Sequence, residues 1–388
     1  MKRQFTGWMA AAIALVLVAT AARAAEPIKV GQISALSGGS AKSGEGITRG
    51  LSVAIDEINA AGGLLGRKLE LVRRDDESNP AKGQIAAREL IDQEKVAVMF
   101  GGIDSPVSLA IVPIANQSKV PYFSVWAAAT NITRNGASPN FIFRVSAVDV
   151  LVDKALANHA VKAFQAKKLG LILVNNPWGE SNEKGLTAAA KERGVEIAGI
   201  EKFEESDVDM VAQLTRLKSA GADTLVLVAN AAPGAQVMKS LQRTGWSVPV
   251  VSHWGISGGR FPELAGPGAQ KVQFIQTYSF FGPQNAVGKK VLEELEAKYP
   301  DIKGPADVVP PVGVANAYDA MHLVALAITK AGSTDGDKVR QALESLDRYD
   351  GLIKSYDHPF SAENHDALGE HDYIMVHYVG DKIEPVTN

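Results

Sequence analysis

The side chains with chemical capacity in this chain cluster where apolar runs end. Val96–Phe100 is an apolar run closed by Gly101-Gly102, and Ser105-Pro106 follows at once. Ser105 reads as a helix N-cap with Pro106 at the first helical position. Val107, Ala110, Ile111 and Ile114 then recur at helical spacing and give that helix an apolar face. Free backbone N–H groups at such an N-terminus, with a hydroxyl beside them, bind an anion without a cationic side chain. The next run, Tyr122–Trp126, ends in Ala127-Ala128-Ala129-Thr130, where small residues admit a ligand to the backbone and Thr130 adds a second hydroxyl. Two successive strand ends therefore offer groups suited to one carboxylate. An ordinary capped strand–turn–helix accounts for the same residues without a ligand.

Aromatic and amide residues occupy further strand ends. Trp126 closes one run, Asn175-Asn176-Pro177-Trp178 follows another, Asn230 ends a third and His253-Trp254 a fourth. Three of the five tryptophans thus stand at expected carboxyl ends of strands. Each alone reads as core; together they read as flat apolar walls with polar neighbours that orient a ligand.

Three nominal motifs lead elsewhere. Gly44-Glu45-Gly46 opens a helix, but its third glycine, Gly50, comes one place late for a dinucleotide fingerprint. Gly255-Ile256-Ser257-Gly258-Gly259 matches a nucleophile elbow, which would make Ser257 and His253 a hydrolase pair; the elbow needs a helix directly after it, and glycines and Pro262 intervene. His358, His365, His371 and His377 are spaced too widely for a metal site and read as a polar surface segment. The expectation is no catalytic residue, no cofactor and no metal.

The elements that position these groups alternate. Strand-like runs at Ile28–Ser34, Lys68–Asp75 and Val96–Gly101 are separated by helical patterns at about Glu45–Ala61 and Ala81–Gln93. The pattern restarts near Phe141–Ser146. It continues through runs at Lys168–Asn175, Val195–Phe203, Thr224–Asn230, Pro249–Trp254 and Val272–Ser279, with helices between them from Val150, Ser181, Val208 and Pro233. Three more helices and a strand at Tyr373–Val379 complete the chain. Alternation predicts an α/β class with parallel sheets flanked by helices, and ligands at the carboxyl ends of strands. Two units of similar make-up, each with its own core, predict two lobes.

The N-terminus has a basic start, an apolar stretch from Trp8 to Ala19 and Ala22-Arg23-Ala24, which together read as a secretory signal peptide cleaved near Ala24/Ala25. No later run is expected to be long and apolar enough to span a bilayer, so the mature protein is expected to be soluble and exported to the periplasm. Without cysteine there is neither disulfide, thiol chemistry nor lipid anchor. Losing Lys2, Arg3 and Arg23 takes the formal charge from −3 to −6, which disfavours nucleic acid as a partner.

Read in order, Ile28–Gly38, Ala54–Gly63, Gly66–Glu70, Asp75–Pro80 and Tyr318-Asp319-Ala320 resemble the periplasmic solute-binding proteins of branched-chain amino acid ABC transporters, the leucine/isoleucine/valine-binding type. The resemblance covers essentially all of Glu26–Asn388. It implies a type I two-lobed fold whose lobes close on a ligand, with three hinge crossovers near Arg144–Ser146, Thr277–Phe280 and Gly351–Tyr356. Lobe 1 would comprise 25–145 and 280–353, and lobe 2 146–279 and 354–388. It implies a membrane permease as partner and a monomeric receptor.

By the same resemblance, Ser105, Ala128 and Thr130 hold the ligand carboxylate and Trp178 folds over the ligand. Where amino-acid binders carry an acid for the ligand ammonium, this chain has Trp254 beside His253. Aromatics common in the family are replaced by Ala231 and Ser43, and the cysteine pair of some relatives by Ser78 and Asp104. The candidate site is therefore Ser43, Ser105, Trp126, Ala128, Thr130, Trp178, Asn230, His253 and Trp254. The expected ligand is a small carboxylate without an amine, such as an aromatic acid. A branched-chain amino acid or an amide is the alternative, with Glu180 or Asp149 serving the ammonium.

Overall fold

The structure, a computed structural model, describes residues 25–387; the expected signal peptide lies outside them. Chain order is β1 (Ile28–Ser34), α1 (Ala41–Ala60), β2 (Leu69–Asp75), α2 (Pro80–Asp92), β3 (Val98–Gly101), α3 (Ser105–Ser118), β4 (Tyr122–Ser124) and β5 (Ile142–Arg144). These five strands form a wholly parallel sheet in the order β2-β1-β3-β4-β5. The chain continues with α4 (Asp149–Phe164), β6 (Lys168–Val174), α5 (Pro177–Arg193), β7 (Glu196–Phe203), α6 (Val211–Ser219), β8 (Thr224–Val228), α7 (Ala231–Arg243), β9 (Val250–Ser252), α8 (Phe261–Ala265) and β10 (Val272–Gln276). After α9 (Ala286–Lys298), α10 (Pro311–Ala331) and α11 (Gly336–Leu343) come a small hairpin, β11 (Arg348–Asp350) and β12 (Ser355–Asp357), then β13 (Ile374–Val379) and β14 (Lys382–Pro385). The second sheet runs β14-β13-β10-β9-β8-β6-β7.

The second sheet departs from the expected all-parallel form. β13 pairs antiparallel with β10, and β14 antiparallel with β13. A hairpin needs no crossover helix, so the last fifteen or so residues can extend this sheet with little chain. β14 and the β11–β12 hairpin, short and rich in polar residues, carry too little periodicity to be read in advance.

Both faces of the first sheet are covered, as parallel strands require. Val98 and Phe100 face α1 and α10, whereas Met99 points to α2 and α3 with Ala87, Leu90, Val107 and Ile111. Ile47, Leu51, Ile55 and Ile58 of α1 are buried in a stripe, as their spacing predicts. Helices α1 and α10 approach closely because glycines face each other: a Cβ on Gly50 would lie 2.2 Å from the Val314 carbonyl oxygen.

Helix α10 corrects one expectation. It is long and apolar enough, by composition, to cross a membrane, although no such run is expected after the signal segment. It is also mostly buried, as a core helix packed against α1. Asn316 and Asp319, which break its apolar run, are satisfied within the fold: Asn316 donates to the Val125 carbonyl at 3.0 Å, and Asp319 accepts from the Leu352 and Ile353 N–H groups and the Tyr356 hydroxyl.

Candidate functional site

The first wall of the site is backbone and hydroxyl. Gly101 and Gly102 turn the chain after β3 with φ of +151° and +71°; a Cβ on Gly101 would lie 1.8 Å from the Ile33 carbonyl oxygen, so no larger residue fits. Helix α3 begins one residue earlier than its sequence suggests. Asp104 is the N-cap, with Ser105 and Pro106 in the first turn, and Asp104 makes no capping hydrogen bond. Ser105 is buried, and its Oγ accepts the Ala129 N–H at 3.2 Å, tying the two strand ends together. Strand β4 stops at Ser124 rather than at Trp126, because Ser124 Oγ donates to the Ala127 carbonyl and bends the chain into the alanine loop.

That loop is braced from behind. Arg144, at the end of β5 and fully buried, donates to the Ala129 carbonyl at 3.0 Å and to the Thr130 carbonyl at 3.4 Å. Its Nε reaches Asp366 Oδ1 at 2.8 Å, and Asp366 also accepts the Thr133 hydroxyl. Burial acts to raise the Asp366 pKa, but the Arg144 charge and the Thr133 and Arg144 hydrogen bonds outweigh it and hold the carboxyl below its usual range.

The second wall is aromatic. His253 and Trp254 follow β9, and Trp254 begins a short 3-10 helix through Gly258. The Trp254 N–H donates to His253 Nδ1 at 2.8 Å, which leaves the ring proton on Nε2. Nε2–H then donates to Asp149 Oδ1 at 3.1 Å. Trp178, in the first turn of α5, donates its indole N–H to the same oxygen at 3.2 Å and sets its ring edge-on to His253, with centroids 5.0 Å apart. Asn176 caps α5 by accepting the Trp178 and Gly179 N–H groups, fixing where that indole starts.

The walls meet across a seam. Trp126 packs on Trp254 with centroids 5.8 Å apart. Ser43 Oγ donates to the Gly258 carbonyl at 3.1 Å, and Asn230 Nδ2 donates to Asp104 Oδ1 at 2.8 Å. The Ala128 carbonyl accepts the Asp149 N–H, Thr130 Oγ1 accepts the Val150 N–H, and the Thr130 N–H donates to Ser181 Oγ. Beside Thr130 a pocket of about 360 Å³ opens between Asn131 and Arg134 on one side and Val150, Glu180, Ser181 and Lys184 on the other. All nine candidate residues therefore gather along one seam, Ser43 from the first turn of α1.

The acids matter more than their sequence context signals. Asp149, expected only as an alternative partner for an ammonium, is the hub of the aromatic wall, fully buried, with Oδ2 lacking a hydrogen-bond partner among the described residues. Asp104, noted only as a cysteine replacement, is raised in pKa by burial, with Ser78 and Asn230 partly offsetting that. No charge periodicity marks either one. The only local signal is Asp149 in the first turn of a helix, where a carboxylate favours the dipole.

The other candidate chemistries find no geometry. Ser257 Oγ donates to the Trp254 carbonyl at 2.7 Å, and both His253 nitrogens are engaged elsewhere, so the elbow serine and the histidine are not paired. Gly255–Gly258 lies in a 3-10 turn, not a strand-to-helix elbow. Among the described residues no cluster of His, Asp and Glu suits a metal ion. The C-terminal histidines are not uniformly a surface segment: His365 is buried, stacked on Phe143 at 4.0 Å with Nδ1 against the Ile142 carbonyl.

Comparison with known proteins agrees with this two-walled fold. The family described as periplasmic binding protein matches residues 27–382. The chain belongs to that family. Family members are substrate-binding components of ABC transporters. A relative from Brucella melitensis, Leu/Ile/Val-binding protein homolog 3, is 26% identical over 308 residues, covering 79% of this chain and 80% of its own. A periplasmic binding protein type 1 from Bordetella pertussis Tohama I superposes with a TM-score of 0.85 at 27% identity, covering 93% of this chain and 100% of the other. A branched-chain amino acid transporter substrate binding protein from Streptococcus pneumoniae, solved with isoleucine, gives 0.79 at 26%, covering 93% and 100%. A solute binding protein from R. palustris in complex with benzoate shares the fold at 0.78 and 23%, covering 93% and 98%. The resemblance and the type I α/β architecture read from the sequence of this periplasmic binding protein are therefore established; the ligand is not named by its relatives, which hold both amino acids and aromatic acids.

Proposed function

We propose that this periplasmic binding protein is the receptor of an ABC importer for a small carboxylate without an amine, such as an aromatic acid. The observation that carries this is the pairing of an uncharged anion anchor with indole walls. Ser105, the Ala128 backbone and Thr130 take the carboxylate, while Trp126, Trp178 and Trp254 flank a flat apolar body. The position where an acid would meet an ammonium holds Trp254, and the near oxygen of Asp149 is already occupied by Trp178 and His253. Ser43 and Asn230 complete the closure across the seam. The lobes, 25–145 with 280–353 and 146–279 with 354–388, turn about Arg144–Ser146, Thr277–Phe280 and Gly351–Tyr356. A ligand touching both lobes draws them together, and the membrane permease reads that closed form. The receptor acts as a monomer in the periplasm after cleavage near Ala24/Ala25, without cofactor or catalysis.

A second reading has its own observation. Asp149 Oδ2 lacks a partner and is buried, which suits an ammonium and hence a branched-chain amino acid. Leaving that ammonium unpaired would cost about 3–5 kcal/mol, so the two readings differ sharply. Calorimetric titration with benzoate and with leucine separates them. Benzoate binding that weakens in Thr130→Val is the expected result. Tight leucine binding that Asp149→Asn abolishes, with no heat from benzoate, would overturn the amine-free assignment.

A further inference from the structure

Behind the aromatic wall lies a group of acceptors with no donor. Asp149 and Asp153 are one helical turn apart on α4, and both are fully buried. Asp149 Oδ2 and both oxygens of Asp153 have no hydrogen-bond partner among the described residues. Helix α5 covers them with Trp178, Asn182 and Gly185. Gly185 lies directly on the carboxyl: a Cβ there would come 1.9 Å from Asp153 Oδ2. Asn182 is also fully buried; its amide donates to the Trp178 carbonyl at 2.9 Å, and its Oδ1 too lacks a donor. Two buried carboxyls and an amide oxygen, on facing helices, thus share a shortage of hydrogen.

No cation relieves it. Lys154 of α4 pairs with Glu192, and Glu183 of α5 with Lys202, while Lys184 is exposed and lines the pocket beside Thr130 without a hydrogen bond to either carboxyl. Arg144, from the first lobe, is committed to Asp366 and to the Ala129 and Thr130 carbonyls. His253 reaches Asp149 Oδ1 alone, with Nδ1 already taken. The Tyr373 hydroxyl accepts the Val148 N–H at 3.2 Å. Two ionised carboxylates in this setting would face a large desolvation cost, offset only by the Trp178 and His253 hydrogen bonds to Asp149 Oδ1.

We propose that the Asp149–Asp153 pair is a proton-binding site linked to the ligand seam, so that an anionic ligand enters together with a proton. Burial pushes the Asp153 carboxyl well above the ordinary range, and the neighbouring Asp149 adds to the rise. Asp149 joins this pair to the wall through Trp178 and His253, and its backbone N–H donates to Ala128 in the carboxylate anchor. A carboxylate arriving at that anchor disfavours charge on the pair and raises its hold on the proton. By linkage, affinity for the anion rises as pH falls, by up to about tenfold per unit where one whole proton is taken up. The coupling rests on the carboxylate reading above; the proton site itself does not.

Two measurements test the site separately from the ligand. In the ligand-free full-length receptor, carbon-13 carboxyl resonances followed from pH 4 to 9 are expected to show one aspartate still protonated at pH 7, missing in Asp153→Asn. An Asp153 that titrates in the ordinary range overturns the proposal whatever the ligand. Benzoate titrations in phosphate and in Tris, whose ionisation enthalpies differ, then count protons at a pH just above that at which the free Asp153 carboxyl gives up its proton. Uptake approaching one in the wild type and near zero in Asp153→Asn is expected, with benzoate bound by both at low pH. Benzoate binding without uptake, or equal uptake in the variant, overturns the coupling. If benzoate fails to bind while Asp153 stays protonated, the ligand assignment falls, the coupling to an anion falls with it, and the proton site stands.

Discussion

The two walls of the seam are built in opposite ways. The first lobe contributes the ends of two adjacent strands, and the anchors proposed there, Ser105, Ala128 and Thr130, are neutral groups oriented by local turns. The second contributes side chains from α4, α5 and the loop after β9, which meet at Asp149. A full charge behind the first wall, Arg144, is held there by Asp366. On the second wall the charge stands within the wall itself, behind indole and imidazole. On the proposed function the difference divides the labour: the first wall would present dipoles to an anion, and the second would decide which body, and which charge, is tolerated beside it.

That contrast can be broken at its strongest point first. Arg144→Met should leave the buried Asp366 with only the half-exposed Arg134, at 3.5 Å, and lower stability by about 3 kcal/mol, measured by urea unfolding at pH 7. The sign with pH follows from the depressed Asp366 pKa: its contribution is present above the unfolded-state value and fades as pH falls through the folded one. The deficit of the variant should therefore shrink toward acid pH. A deficit independent of pH would mean that Arg144 braces the loop without help from Asp366.

Trp178→Ala sharpens the account of the second wall. It should weaken an aromatic acid by about 1–3 kcal/mol through lost burial and stacking, read by titration with benzoate. Equal affinity in wild type and variant would remove this indole from the ligand's surroundings. The smallest effect is expected where the walls only touch. Asn230→Ala deletes one hydrogen bond across the seam and should cost closure about 1 kcal/mol, seen as a modest loss of benzoate affinity. A loss as large as that of Trp178→Ala would make Asn230 a ligand contact instead of a latch.

What could be read in advance follows the same division. The first wall lies within a stretch of some thirty residues, and glycine, proline, serine and small-residue signals report local backbone geometry directly. Even there the N-cap was displaced by one residue, from Ser105 to Asp104, because helix ends shift easily by a residue or two. The tryptophans of the second wall were noticed for their place at strand ends. That Asp149 joins Trp178 to His253 is not legible there, since it meets them across separations of 29 and 104 residues. His365, assigned to a polar surface from its neighbours, is instead buried on Phe143, 222 residues away in sequence.

The amino-acid order alone determined the alternation of strands and helices, the parallel first sheet and the hydroxyls at its edge, because periodicity and turn chemistry act over a few residues. Only the tertiary structure decided which groups share a wall and which carboxyls go without partners. Burial and long-range contact set the environment of a charge, and neither is encoded by its immediate neighbours in the chain.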